Sequence, residues 1–221
     1  MLLTDFLPVK PGITAIIGSG GKTSLAERLC KELSERGTVI FTTTTHIFPP
    51  DMPLADPTRG ELSALLQKGH LVCAAKPAGE KLTAPTLSAM ELSEAADFVI
   101  VEADGAKRLP AKAHDRSFEP VIPTGTAQII TVLGTSCFGK PIAEVCHRPE
   151  IFCRLTGAKP DDLLSPALAA RALKEEGLSE TVFLNQVDSP DEIPLAEAFC
   201  RAWGKEIIAG SLRKEWYLCL S

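Results

Sequence analysis

Gly18-Ser19-Gly20-Gly21-Lys22-Thr23-Ser24 is the segment of this 221-residue chain whose residue types and spacing speak most directly of chemistry. Glycines at 18, 20 and 21 allow successive backbone N–H groups to turn toward one concavity, and a helix starting near Thr23 would aim its positive dipole end at the same point. Such a cradle binds phosphate. Lys22 would reach the β and γ phosphates of a nucleotide, and the Thr23 hydroxyl would bind Mg²⁺. Ile16 stands where the usual pattern has its first glycine, so the loop is a shortened G-x-G-G-K-T. The competing reading is a plain glycine turn with a solvated lysine, which would not need Gly, Lys and Thr in this order.

Two acids end the apolar run Phe98–Val101. Alternation along an extended chain puts Glu102 and Asp104 on one side, where carboxylates can hold a metal ion or orient an attacking water. With Lys22 they form the expected catalytic set, Glu102 first. The threonine run Thr42–Thr45 ends another apolar segment; its hydroxyls could bind Mg²⁺ or its waters, so the expected metal ligands are Thr23, Glu102 and Thr44, with Thr45 the alternative to Thr44. His46 follows as a substrate ligand or proton shuttle, or as a structural loop histidine. Lys107, Arg108 and Lys112 could bind an anionic substrate or the triphosphate, or could be solvated charges. Asn185 and Asp188 lie in a stretch, FLNQVD, that resembles the base-reading Asn-Lys-x-Asp motif of GTPases, and that resemblance makes them candidates for reading the base, with Ala209 and Gly210 in a second base-contacting loop at a strand end. Cys146 and His147 lack the partners of a metal-ligand set.

These residues need a frame. Short β-branched runs alternate with amphipathic stretches, which predicts strands joined by crossover helices. Strands are expected at 13–17, 38–42, 70–74, 98–101, 128–133, 181–185 and 206–209. Several are apolar on both faces, as in a mainly parallel sheet covered on both sides. Helices are expected at 23–36, 62–68, 88–95, 166–176 and 193–203, closed by Gly37, Gly69, Gly177 and Gly204 where a glycine follows. The expected fold is a three-layer P-loop NTPase-like α/β domain spanning 1–221, with a loop and helical insertion at about 136–178.

Composition sets the outer bounds. The chain is 45% hydrophobic and 23% charged, which places it among globular proteins. A net charge of −5 argues against nucleic acid or an anionic membrane as partner. Without a signal-like start or a spanning apolar run, a cytoplasmic location is expected. The seven cysteines form no C-x-x-C pair and read as small buried apolar groups.

The loop is similar to the G-x-x-G-K-T loops of the Mur ligases, which also bind nucleotide. FLNQVD, 183–188, resembles the Asn-Lys-x-Asp motif of GTPases, with Gln186 in the lysine position. That pattern leans toward GTP, while the missing lysine leaves ATP open. In chain order, GSGGKTSLAERL, TTTTHIFPP, VIVEADGAKRLPAKAH with EPVIP, HRPE and FLNQVD resemble the selenium-dependent hydroxylase accessory proteins, the YqeC family. The resemblance implies a P-loop protein assisting maturation of a selenium-dependent molybdenum hydroxylase, with that client or its cofactor-assembly proteins as partner. Carried over, it makes Gly18, Gly20, Gly21, Lys22 and Thr23 the phosphate site and Glu102 and Asp104 the acidic pair. The readings left open are a Mg²⁺-dependent NTPase, a small-molecule kinase or nucleotide-activated ligase, and a non-catalytic nucleotide-dependent chaperone.

Overall fold

The computed structural model describes all 221 residues. Its elements run β1 (Gly12–Gly18), α1 (Lys22–Leu33), β2 (Val39–Thr43), β3 (Leu54–Ala55), α2 (Arg59–Lys68), β4 (Leu71–Ala74), β5 (Lys76–Ala78), β6 (Lys81–Thr83), α3 (Ala89–Ser93) and β7 (Phe98–Glu102). They continue with β8 (Ala111–Lys112), β9 (Thr126–Gly134), α4 (Ile142–Val145), β10 (Cys146–His147), α5 (Pro149–Thr156), α6 (Pro166–Glu176), β11 (Thr181–Asn185), α7 (Ile193–Trp203), β12 (Ile207–Ser211) and β13 (Trp216–Leu220).

Nine strands form the main sheet in the order β13-β12-β11-β9-β1-β7-β2-β4-β3. All neighbours are parallel except β13, which pairs antiparallel with β12. Alternate side chains of the central strands enter different cores. Ile16, Phe41, Ile100, Ile130 and Val132 pack against the Leu25, Leu29 and Leu33 stripe of α1. On the opposite face Val99 and Val101 meet Leu62, Leu66 and Leu92 of α2 and α3, while Leu133, Val182 and Leu184 meet α5, α6 and α7. The result is the expected three-layer α/β architecture. No helix is long and apolar enough to cross a membrane.

β1 lies at the middle of the sheet between β7 and β9, so the loop after it opens at the centre of the sheet's C-terminal edge. Parallel strands bring the ends of β2, β7, β9, β11 and β12 to that same edge, where open α/β sheets bind their ligands. The segment between β9 and β11 carries α4, β10, α5 and α6, and β10 pairs with β8 rather than joining the main sheet. The HRPE segment spans the end of β10 and the start of α5, with Pro149 at the first helical position and Gly157 closing the helix in a left-handed conformation.

Candidate functional site

The loop joining β1 to α1 requires its glycines. Gly18, Gly20 and Gly21 have φ of 93°, 83° and 124°, a region that disfavours side chains. A Cβ on Gly18 would lie 2.3 Å from the Val132 carbonyl oxygen, and one on Gly20 would lie 2.3 Å from the Gly134 nitrogen. The loop therefore presses directly on the end of β9. Ser19 is buried, and its hydroxyl has no hydrogen-bond partner.

Lys22, the first residue of α1, is buried and points back across the loop. Its Nζ donates to the Gly18 carbonyl at 2.7 Å and lies 3.0 Å from Asp104 Oδ1 and 3.7 Å from Glu102 Oε1. The Thr23 hydroxyl donates to Glu102 Oε2 at 2.7 Å. Burial raises the Glu102 carboxyl above its ordinary range, a shift that Lys22 and Thr23 reduce without cancelling.

These residues fit a phosphate and a hard cation. The glycine cradle has no room for a Cβ, the Ser19 hydroxyl is orphaned, and Thr23 with Glu102 offers the oxygen pair Mg²⁺ takes when water and phosphate oxygens complete its shell. No group of three or more His, Cys, Asp or Glu side chains is arranged to hold a metal ion, so the cation such a pair suits is one coordinated largely by other oxygens.

Asp104, expected in the catalytic set, is fully buried two residues beyond the end of β7. Its Oδ2 accepts the Gly18 N–H at 2.8 Å, lies 2.5 Å from His114 Nε2 and lies 3.4 Å from Lys112 Nζ. Burial alone would raise this carboxyl, but Lys22, His114 and Lys112 outweigh it and hold it well below the usual carboxylate range. Asp104 is thus a positioning residue for the loop rather than a group facing solvent. His114 is gripped from its other side by Glu176, which lies 2.9 Å from Nδ1 and accepts the His114 backbone N–H at 2.6 Å. Burial disfavours the imidazolium, yet the two carboxylates prevail and raise its pKa.

Lys112, expected to face a substrate, is also turned inward. It pairs with Asp104 and, at 2.8 Å, with Glu119, and it donates to the Gly105 carbonyl. Arg148 pairs with Glu119 as well. Nothing in the sequence pattern joined His114, Glu119, Arg148 and Glu176 to the loop. The one readable signal was period two at Lys112, His114 and Arg116, which puts three basic residues on one side of an extended segment.

On the β11 side, Asn185 ties the loop to β12. Its Nδ2 donates to the Gly20 carbonyl at 2.7 Å, and its Oδ1 accepts the Leu212 N–H at 3.1 Å. Asp188 accepts from the Ser211 hydroxyl at 2.6 Å and pairs with Arg213 at 2.8 Å. Ala209 and Gly210 do not form a base-contacting loop. They lie inside β12, register with Leu218 and Tyr217 of β13, and Gly210 is packed so closely that a Cβ would fall 2.3 Å from the Trp216 carbonyl oxygen. The segment that reaches the ligand edge is Leu212–Arg213. Both line a cavity of about 760 Å³ with Gly20, Gly21, Ser24 and Asp188.

A second cavity of about 500 Å³ lies across the loop, lined by Thr23, Thr45, His46, Phe48, Glu102 and Arg108 among others. Thr45 is the threonine that shares this cavity with Thr23. The Thr44 hydroxyl donates to the Val121 carbonyl at 2.9 Å, and the residue lines a different cavity with Thr42 and Thr43. Lys107 and Arg108 occupy the centre of a turn closed by the Leu109 N–H on the Ala106 carbonyl at 3.0 Å. Both have positive φ, 48° and 61°, which costs roughly 1–3 kcal/mol per residue where glycine or asparagine is absent.

Comparison with known proteins agrees with the sequence motifs. A family profile described as "YqeC protein" matches residues 14–150. Over 166 residues the chain is 31% identical to "Uncharacterized protein YqeC" of Escherichia coli (strain K12), an alignment covering 70% of this chain and 64% of that protein. The chain thus spans less than two thirds of that relative's length. Among solved structures, the MinC:MinD cell division protein complex of Aquifex aeolicus aligns over 89% of this chain and 79% of its own, with a TM-score of 0.44 and 10% identity.

Proposed function

We propose a function for a chain that belongs to the YqeC family: Mg²⁺-dependent binding of a nucleoside triphosphate, with hydrolysis, in support of maturation of a selenium-dependent molybdenum hydroxylase. The observation that carries the nucleotide reading is the convergence of Lys22, Thr23 and Glu102 at a glycine cradle in the middle of the sheet's C-terminal edge. The maturation role rests on the motif resemblance and on family membership.

Each residue has a defined task. The backbone N–H groups of Gly20–Lys22 and the N-terminus of α1 bind phosphate oxygens, while those of Gly18 and Ser19 are held by Asp104 and the Val132 carbonyl, and Lys22 neutralises the phosphate charge. Thr23 and Glu102 would hold Mg²⁺, which supplies charge neutralisation between the phosphates when bound. Glu102 borders the cavity on the Thr45–Phe48 side, which places it to orient a water or an acceptor hydroxyl. Asp104 keeps Lys22 and Gly18 in register through its contacts to both. Asn185 fixes the far side of the loop, and the larger cavity beyond it suits a base and ribose.

A kinase-like reading, with transfer to a small acceptor in place of water, is favoured by the separate cavity on the Thr45–Phe48 side. Equilibrium binding of Mg-ATP and Mg-GTP to wild type, Lys22→Ala and Glu102→Gln, with phosphate release followed in the same samples, tests the function. Lys22→Ala is expected to abolish binding and Glu102→Gln to abolish release. Unchanged binding and release in both variants would overturn the reading. The preferred base reports on Asp188, whose carboxylate must leave Arg213 to accept from guanine.

A further inference from the structure

We propose that the cavity on the Thr45–Phe48 side of the loop binds a second ligand, a small molecule bearing a phosphate or carboxylate group, held by Lys81, Lys107 and Arg108 beside Thr23 and Glu102. The inference rests on reading Gly18–Ser24 as the nucleotide site, since that reading gives the neighbouring cavity its partner.

Charge is the first observation. The chain carries a net charge of −5, yet Lys81, Lys107 and Arg108 line one cavity and none appears in any ion pair of the protein. Glu102 is the only carboxylate on that wall, and it is engaged with Thr23 and Lys22. Unpaired cations around a concave, partly enclosed wall raise the local concentration of anions.

The backbone gives the second observation. A two-residue turn with positive φ at both central positions belongs to Asn-Gly or Gly-Gly, yet Lys107 and Arg108 occupy it. Turn formation does not explain long cationic side chains there. Held at the turn's tip, they stand over the cavity next to the end of β7. Strain of this kind is retained where the surrounding site uses the side chains.

Phe48 supplies the third. It is 44% exposed, with the Arg108 guanidinium carbon 4.3 Å and Lys81 Nζ 5.2 Å from its ring centroid. The ring holds both cations in place without consuming their N–H groups, which stay available to an oxyanion. His147 faces the same cavity and has a buried Nδ1 with no partner; burial and the nearby Lys112 and Arg148 lower its pKa, so it enters as a neutral donor or acceptor.

Two cavities flank Gly20 and Gly21, of about 760 and 500 Å³, so a nucleotide laid along the Asn185 side leaves the other for an acceptor. An oxyanion on Lys107 and Arg108 would orient such a molecule with its free end toward Glu102.

Inorganic phosphate is the probe, titrated by calorimetry into the full chain with Mg²⁺ and a saturating non-hydrolysable triphosphate analogue, so that the γ position is filled. Wild type is expected to bind it. The double variant Lys107→Asn/Arg108→Gly should weaken phosphate roughly ten-fold or more, the scale of lost charged hydrogen bonds. Its triphosphate affinity should be unchanged and its melting temperature equal or higher, because Asn-Gly suits the turn. Absence of phosphate binding in wild type, or a variant that weakens the triphosphate and spares phosphate, overturns the proposal. If wild type binds no triphosphate, the nucleotide reading fails by itself. Phosphate titrated alone then decides: loss in the double variant with retention in Lys22→Ala sustains the second site, and the reverse pattern refutes it.

Discussion

Removing the charge from His114 tests the buried network beneath the loop. His114 donates toward two carboxylates, Asp104 at 2.5 Å and Glu176 at 2.9 Å, and both imidazole nitrogens must carry protons to serve both. Hydrogen bonds to charged groups contribute about 1.5–3 kcal/mol each, so His114→Gln, which can satisfy one of them, should cost roughly 1.5–3 kcal/mol near pH 6. For a domain of this size that corresponds to a drop in melting temperature of about 3–12 °C. The sign of the pH dependence follows from the raised imidazole pKa. A group whose pKa is raised on folding stabilises fully below its unfolded value of about 6.5 and loses that contribution as pH climbs through the folded value. The stability gap between wild type and His114→Gln should therefore be widest at pH 5.5–6.5 and narrow at alkaline pH. Chemical denaturation of both proteins at half-unit steps from pH 5.5 to 9.5 measures the difference directly. Parallel curves across that range would refute an imidazolium held between two carboxylates.

Two further outcomes follow from packing. Gly20→Ala must force a Cβ to within 2.3 Å of the Gly134 nitrogen, whereas Gly12→Ala, with φ of 97° and nothing within 4 Å, meets only backbone strain. Gly12→Ala should cost about 1 kcal/mol and Gly20→Ala several times that, with loss of nucleotide binding; equal costs by denaturation would contradict the close approach to β9. Among the thiols, Cys219 is exposed while Cys30, Cys73 and Cys137 are buried, and burial pushes Cys73 and Cys137 up to about 12. Maleimide at pH 7.5 should label Cys219 first and those three only after unfolding, as read by mass spectrometry; rapid labelling of Cys73 would show that the β4 core opens.

The parallel strands were legible because burial on both faces makes their sequences nearly continuous apolar runs. Ile13–Ile17 and Thr181–Asn185 lie within β1 and β11 for that reason. The helices ending at Gly177 and Gly204 were legible because both glycines cap in the left-handed conformation, φ 57° and 75°. Gly37 and Gly69 carried the same signal with a different cause. Helix α1 ends earlier, at Leu33, and a Cβ on Gly37 would meet Asp97 Oδ2 at 2.6 Å, so this glycine admits the Asp97 side chain that binds Thr38. Gly69 is extended at φ −159°. β13 escaped notice because an antiparallel edge strand only five residues long, partly open to solvent, lacks the apolar run of its neighbours. Of the site, the residues contiguous in sequence were legible and the closures between distant segments were not: Glu176 is 62 residues from His114, and Asn185 is 165 from Gly20.

The basic stretch from Ala106 to Arg116 shows what composition alone conceals. It reads as one cationic cluster, but the fold divides it by local geometry. Ala111 and Lys112 form β8, and in the extended segment that follows Lys112, His114 and Arg116 recur every second residue. Lys112 and His114 turn inward, to Asp104 and Glu119 and to Asp104 and Glu176 respectively, while Arg116 stays exposed and donates to the Glu176 carbonyl. Lys107 and Arg108 precede that segment in a turn with positive φ and remain outside, unpaired. The two sets must respond differently to neutralisation. Losing an inward cation leaves a buried carboxylate without its counter-charge and is felt as stability, because the desolvation of Asp104 or Glu119 is no longer offset. Losing an outward one leaves no buried charge unpaired, eases backbone strain only where Gly or Asn replaces it, and is otherwise felt by whatever anion enters the cavity. A basic residue in this stretch is therefore assigned by its burial and its φ, and its charge is common to both outcomes.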